Sequence, residues 1–133
     1  MNVYNSTQTS QAGKYGYNIK KRGFKMKMYE YILTIGLYDK DTKVQEIEAE
    51  TAKNIISDEL INHFNIYAFT MMNAYGVYKM NDGAIVREPS IRLEIADNDI
   101  TKETIYRIIK RLKTELNQES IMYKMVVSDI DFI

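Results

Sequence analysis

The sequence predicts an α+β sandwich in which a four-stranded antiparallel sheet carries two helices on one face. Two observations point there. Apolar residues alternate in four segments and recur at three- and four-residue steps in two others, in the order β-α-β-β-α-β. Between the second and third extended segments stands Asp82-Gly83, a strong hairpin signal. A chain of 133 residues is long enough to bury one core without disulfide or metal staples.

Residues 1 to 25 are rich in Asn, Ser, Thr, Gln, Gly and Lys and show no periodicity, so they read as a basic polar extension. The single folded domain is expected over residues 26–133, with Met26 and Met28 at the start of its core. Residues 28 to 38 form the first strand, with Tyr31, Leu33, Ile35 and Leu37 on its covered face. A helix follows at roughly 48 to 64, where Ala52, Ile55, Ile56, Leu60 and Phe64 share one stripe and Asn65 ends it. Residues 67 to 79 and 84 to 96 are the arms of the hairpin. The second helix spans about 101 to 117, with Thr101 as N-cap and Ile105, Ile108, Ile109, Leu112 and Leu116 buried. Its other side carries Lys102, Arg107, Lys110, Arg111 and Lys113, which read as a solvated face. Residues 120 to 132 are the last strand. Two split βαβ units with right-handed crossovers put strands one and three in the centre, which is a ferredoxin-like βαββαβ sandwich. One sheet face is left without helices, and a ligand or a second copy of the chain is expected to cover it.

Composition removes several classes of chemistry. With no cysteine there is no disulfide, thiolate metal site or cysteine nucleophile. His63 is the only histidine, so His pairs for a metal are absent, and its place in the last turn of a helix suits a helix-end residue. No phosphate loop, dinucleotide glycine pattern or nucleophile elbow is present, and acid pairs such as Asp129/Asp131 or Glu46/Glu50 are of a kind that arises by chance. The chain is therefore expected not to be an enzyme and to need no cofactor or metal. No apolar run reaches membrane-spanning length and the N-terminus is too polar for a secretory signal, so a cytoplasmic protein is expected.

Formal net charge is zero, but it is unevenly spread. Lys14, Lys20, Lys21, Arg22, Lys25 and Lys27 precede the first acid, leaving 12 basic against 18 acidic residues beyond them. An acidic body is the wrong sign for duplex nucleic acid, so any such binding would have to go through the basic arm.

The hairpin holds the candidate site. With Asp82-Gly83 as a two-residue type I′ loop, Asn73 is expected opposite Arg92, Tyr75 opposite Ser90 and Tyr78 opposite Arg87. Ile91, Leu93 and Ile95 then point to the helices, and Ser90, Arg92 and Glu94 fall on the open face beside Met71, Asn73 and Tyr75. Pro89 cannot donate to a ladder, so a kink or bulge opposite Gly76 is expected, which leaves the facing of Arg87 and Glu88 open. Asn73, Tyr75, Tyr78, Arg87, Glu88, Ser90 and Arg92 are the candidate ligand-binding residues, combining aromatic surface with hydrogen-bonding groups and cations suited to a planar anionic ligand such as a nucleotide.

From residue 30 onward the chain resembles a widespread bacterial and phage domain family, part of which has no assigned role. The resemblance rests on Gly36-Leu37, Phe69-Thr70, Tyr75-Gly76, Asp82-Gly83 leading to Arg87-Glu88-Pro89-Ser90, and Asn117-Gln118-Glu119-Ser120-Ile121. The segment from Tyr29 to Leu37, the Asp39-Lys40-Asp41-Thr42-Lys43 turn and the 117–121 junction resemble one phage branch more closely, the anti-defence sponges that act against Thoeris immunity. The resemblance implies a protein that binds a cyclic ADP-ribose-type signal from a TIR-domain enzyme, without cleaving it, in pockets between subunits of an oligomer. It implies no residue-level assignment of the pocket, and the long N-terminal extension departs from the pattern. The alternative is a ferredoxin-like dimeric regulatory or assembly module with no nucleotide ligand. A cofactor-free enzyme on the same fold ranks below both.

Overall fold

Strand-forming and helix-forming segments fall where the sequence pattern sets them. The computed structural model describes residues 24–133, with side chains from Lys27 onward. Lys14, Lys20, Lys21 and Arg22 lie outside the described residues, as do the side chains of Lys25 and Met26. The elements are β1 (Phe24–Gly36), α1 (Ala49–Asp58), β2 (Phe69–Lys79), β3 (Ile85–Ala96), α2 (Lys102–Glu115) and β4 (Met122–Phe132). β1 begins at Phe24, inside the segment expected to be extension, because Phe24 to Met28 pair with Phe132 to Ser128 as an antiparallel ribbon of β1 on β4. At the other end Leu37 leaves the ladder, and Tyr38 forms a lone bridge to Gln45.

The sheet order is β2-β3-β1-β4, all neighbours antiparallel, with the first and third strands central as expected. Alternation puts Tyr31, Leu33 and Ile35 of β1 and Ile91, Leu93 and Ile95 of β3 on one face. There they meet Ala52, Ile56 and Leu60 from the first helix and Ile105, Ile108, Leu112 and Leu116 from the second. Nearly all of these are fully buried, so truncating one of the leucines or isoleucines to alanine costs about 2–5 kcal/mol. The chain is a four-stranded α+β ferredoxin-like sandwich.

Both helices end as their residues dictate. Thr101 Oγ1 accepts a hydrogen bond from Thr104 N at 3.2 Å and caps α2. Asn117, in the left-handed region at φ 48°, closes α2 with a Schellman pattern in which Gln118 N donates to Lys113 O and Asn117 N to Thr114 O. Asn65, also left-handed at φ 54°, follows the end of the first helix, which widens into a π-helical turn over Glu59–His63.

That turn buries Glu59, whose carboxylate takes a bidentate pair from Arg111 of α2, at 2.5 Å from Nε and 3.1 Å from Nη2. His63 Nε2 lies 2.9 Å from Arg111 Nη2, and since guanidinium only donates, that nitrogen accepts. His63 is thus a helix-end residue. Arg107 stands over the Phe64 ring at 5.7 Å, so two of the five cations expected to be solvated tie the helices together instead.

The hydrogen bonds from Arg111 hold the Glu59 carboxyl below its ordinary value. A depressed carboxylate stabilises the fold above its unfolded pKa, and that contribution disappears as pH falls through the folded value. Glu59→Gln is therefore expected to unfold at lower urea than wild type at pH 7, with the gap closing below about pH 4.5. An equal gap at pH 7 and pH 3 would show that shape, not charge, is what matters there.

Candidate functional site

The hairpin turn decides which side chains can form a site, and it differs from the expected one. Gly83 N donates to Met80 O at 2.9 Å, and Met80 N donates to Ala84 O at 2.8 Å. The loop is therefore three residues, Asn81 to Gly83, with Gly83 alone at positive φ (90°) and Asp82 Oδ1 accepting from Ala84 N. A loop one residue longer than expected shifts the register by one. Asn73 stands opposite Ile91, Tyr75 opposite Pro89 and Tyr78 opposite Val86. The expected pairs with Arg92, Ser90 and Arg87 do not form.

A one-residue slip turns a whole strand over. Asn73 and Tyr75 share the helix-side face with Ile91, where both are exposed. Met72, Ala74, Gly76 and Tyr78 take the helix-free face instead, beside Arg92, Ser90, Glu88 and Val86. Met71, opposite Leu93, packs on the core. The expected bulge at Pro89 is also absent, since the β2–β3 ladder runs unbroken from Phe69 to Lys79. The Pro89 carbonyl accepts from Leu37 N at 3.0 Å. A residue's N–H and C=O point the same way in an antiparallel strand, so the proline's missing donor faces the end of β1 and the β2 ladder loses nothing.

Past Gly36, β3 and β2 continue without β1 as a two-stranded arm. Under that arm a cleft of about 780 Å³ opens, large enough for a nucleotide. Its floor holds Thr34, Gly36, Glu88 and Met122. Tyr78, Met80, Ile85 and Val86 form an apolar wall, and the 38–43 and 118–120 segments a polar one that includes Lys40, Lys43 and the exposed Glu119. Arg87 lines it too, although its partner Val77 places it on the far side of the ladder; two-stranded arms twist strongly.

Two glycines shape the floor. A Cβ on Gly36 would lie 2.3 Å from Glu88 Oε2, so the carboxylate occupies the space that the missing side chain leaves. A Cβ on Gly76, opposite Glu88, would lie 2.6 Å from the Tyr78 hydroxyl. Tyr78 thus folds back over bare backbone on its own strand. The Glu88 carboxylate is fixed by Tyr38 N, which donates to Oε2 at 2.8 Å.

The polar wall is held from α2. Asn117 Nδ2 donates to Asp39 Oδ1 at 2.7 Å and to Asp41 Oδ2 at 3.0 Å, and Lys40 N donates to Asn117 O. Asp39 Oδ2 accepts from the backbone of Asp41 and Thr42. The Asn117 bond first, then those backbone bonds, hold the Asp39 carboxyl below its ordinary value. Buried Gln118 donates to Tyr38 O at 2.9 Å. Asp39 is therefore spent on the loop. Lys40, Lys43 and Arg87 make no ion pair among the described residues.

Of the seven candidate residues, Tyr78, Arg87 and Glu88 line the cleft. Ser90 is buried beside it, its hydroxyl 3.3 Å from Glu88 O. Arg92 lies on the same face but pairs with Glu94 at 2.8 Å. Asn73 and Tyr75 are on the other face. Gly36, Tyr38, Lys40, Lys43 and Ser120 also line the cleft and lie outside the seven candidates. Most of these fall in the segments that carry the family resemblance, but only the fold shows that those segments meet. A second cavity of about 330 Å³ is lined by His63, Asp97, Asp99 and Arg107 among others. Its polar groups are already engaged: His63 on Arg111, Arg107 on Phe64, and Asp97 on Asp99 N.

A family model described as "Protein of unknown function (DUF3574)" matches residues 30–132. No curated protein matches the sequence. Among solved structures, the chain is similar to a phage SAM lyase in complex with S-methyl-5′-thioadenosine, at 20% identity and TM-score 0.56 over 77% of this chain and 88% of that one. It is similar to CutA from Synechococcus elongatus, at 12% identity and TM-score 0.55 over 84% and 86%. A B. subtilis GlnK–ATP complex matches at 14% identity and TM-score 0.50 over 78% and 82%. At these identities the likeness is one of fold.

Asn117→Gly separates the two jobs of Asn117, because glycine keeps the left-handed helix end while losing the amide. In that variant the amides of Asp41 and Thr42 are expected to exchange faster and the Asp39 carboxyl to titrate nearer its ordinary value, read by NMR. Unchanged exchange would show that the amide does not hold the loop.

Proposed function

The chain belongs to the DUF3574 family, and we propose that it is a nucleotide-binding anti-defence protein of phage, sequestering a cyclic ADP-ribose-type immune signal without cleaving it. One observation carries the reading. Segments far apart in sequence, 36–43, 78–88 and 118–120, converge on a single cleft that sets an apolar aromatic wall against unpaired cations. A purine has a flat apolar face and a pyrophosphate carries two negative charges, so the two walls match the two ends of such a ligand. Two proteins of similar fold hold adenosine compounds, S-methyl-5′-thioadenosine in the phage lyase and ATP in GlnK. The resemblance of the Asp39–Lys43 turn and the 117–121 junction to the anti-Thoeris sponges supports the cyclic ADP-ribose class.

Binding alone meets the needs of sequestration, and no general acid or nucleophile is required of the cleft. No helix among the described residues is long and apolar enough to cross a membrane, and the proposed ligand is a cytoplasmic one. The reading includes a homo-oligomer. Met72, Met122 and Val126 are exposed on the helix-free face next to the cleft, and an apolar face of this kind is suited to a second copy.

The purified protein is to be incubated with cyclic ADP-ribose isomers, desalted and heat-denatured, and the released compound identified by chromatography. Intact ligand is expected, with a melting point raised in the ligand's presence; saturation at a hundred times Kd stabilises by about 2.7 kcal/mol. A cleaved product would make the protein an enzyme. No retention and no shift in melting point would contradict the proposal and favour a regulatory module that binds no nucleotide.

A further inference from the structure

We propose that Glu88 reads the ribose of the bound nucleotide, accepting hydrogen bonds from a vicinal diol and setting the ligand's orientation in the cleft. This rests on the nucleotide-binding reading of the same cleft and assigns a role within it. An ionised carboxylate is acceptor-only, with about four lone-pair sites on two oxygens. Oε2 of Glu88 takes one bond, from Tyr38 N, and Oε1 has no partner among the described residues. The two hydroxyls of a cis-diol are the kind of donor pair that one carboxylate can accept together.

The carboxylate is also held in advance. It lies in the space over Gly36 and is bonded to backbone, so little freedom is lost when a ligand arrives. Its charge excludes phosphate from the floor and sends it to the wall of Lys40 and Lys43. A nucleotide has this same separation, with phosphates on the 5′ carbon and the diol across the sugar ring. The base is then left to the apolar wall of Tyr78 and Val86. A site built to accept from hydroxyls rejects a ligand lacking them, because its acceptor stays desolvated and unpaired.

Isothermal titration of ADP against 2′,3′-dideoxy-ADP tests this. Wild type is expected to prefer ADP by at least about tenfold, the ratio equal to about 1.4 kcal/mol. Glu88→Ala is expected to abolish the preference while still binding. Gly36→Ala offers a second route, since alanine suits a strand at least as well as glycine, yet its methyl displaces the carboxylate. It is expected to stay folded and melt close to wild type, the lost Tyr38 N bond offsetting the gain from alanine, and to lose the preference as well. If wild type binds both compounds equally, or both variants keep the preference, the role of Glu88 is overturned and the cleft reading stands. If wild type binds neither ADP nor cyclic ADP-ribose, the cleft reading fails and this inference with it.

Discussion

The three-residue loop Asn81 to Gly83 sets the register of β2 against β3, and that register decides which side chains share the helix-free face. Gly83 supplies the one positive φ, and the Asp82 carboxylate ties down Ala84 N. Because side chains alternate, every residue of β2 is committed by this loop. Phe69 and Met71 reach the core, while Tyr78 lines the cleft and Gly76 lies on the same sheet face opposite Glu88. A loop one residue shorter would put Lys79 where Tyr78 is and Val77 where Gly76 now leaves bare backbone opposite Glu88. The aromatic wall over the cleft follows from the turn, while the seat of the carboxylate comes from β1, through Gly36 and Tyr38 N.

The cleft separates charges that serve the fold from charges that remain available. Asp39 and Asp41 are consumed by Asn117, and Glu59 by Arg111. Arg92 is consumed by Glu94. What is left at the cleft is Lys40, Lys43 and Glu119 from the loops, Arg87 from the hairpin arm and one oxygen of Glu88 on the floor. Asn117 links the two parts, since the same residue ends α2 and holds the loop that carries both lysines. A glycine would end that helix equally well. The amide is explained by the loop.

The fold was legible because it depends on local periodicity. The stripes of α1 and α2, the Thr101 cap and the central pair of strands all follow from residues within one element or from crossover handedness. The site was legible only in part. Asp82-Gly83 marked the turn correctly, but dipeptide identity does not fix loop length, so the partners of Asn73, Tyr75 and Tyr78 came out one residue off. Pro89 suggested a bulge because its ladder neighbours are unknown from sequence; it sits where β1 has just ended. Glu88 and Arg87 were found by their chemistry. Lys40, Lys43 and Ser120 were not, because nothing in the sequence brings the 39–43 turn and the 117–121 junction together with the hairpin.

The central claim is that this cleft binds the nucleotide, and amide chemical-shift mapping with cyclic ADP-ribose tests it most directly. Titration is expected to move the amides of Gly36, Tyr38, Lys40, Lys43, Glu88 and Ser120 while leaving Asn73 and Tyr75 in place. Shifts centred on His63, Asp97 and Arg107, or on Asn73 and Tyr75, would place the ligand elsewhere and contradict the account.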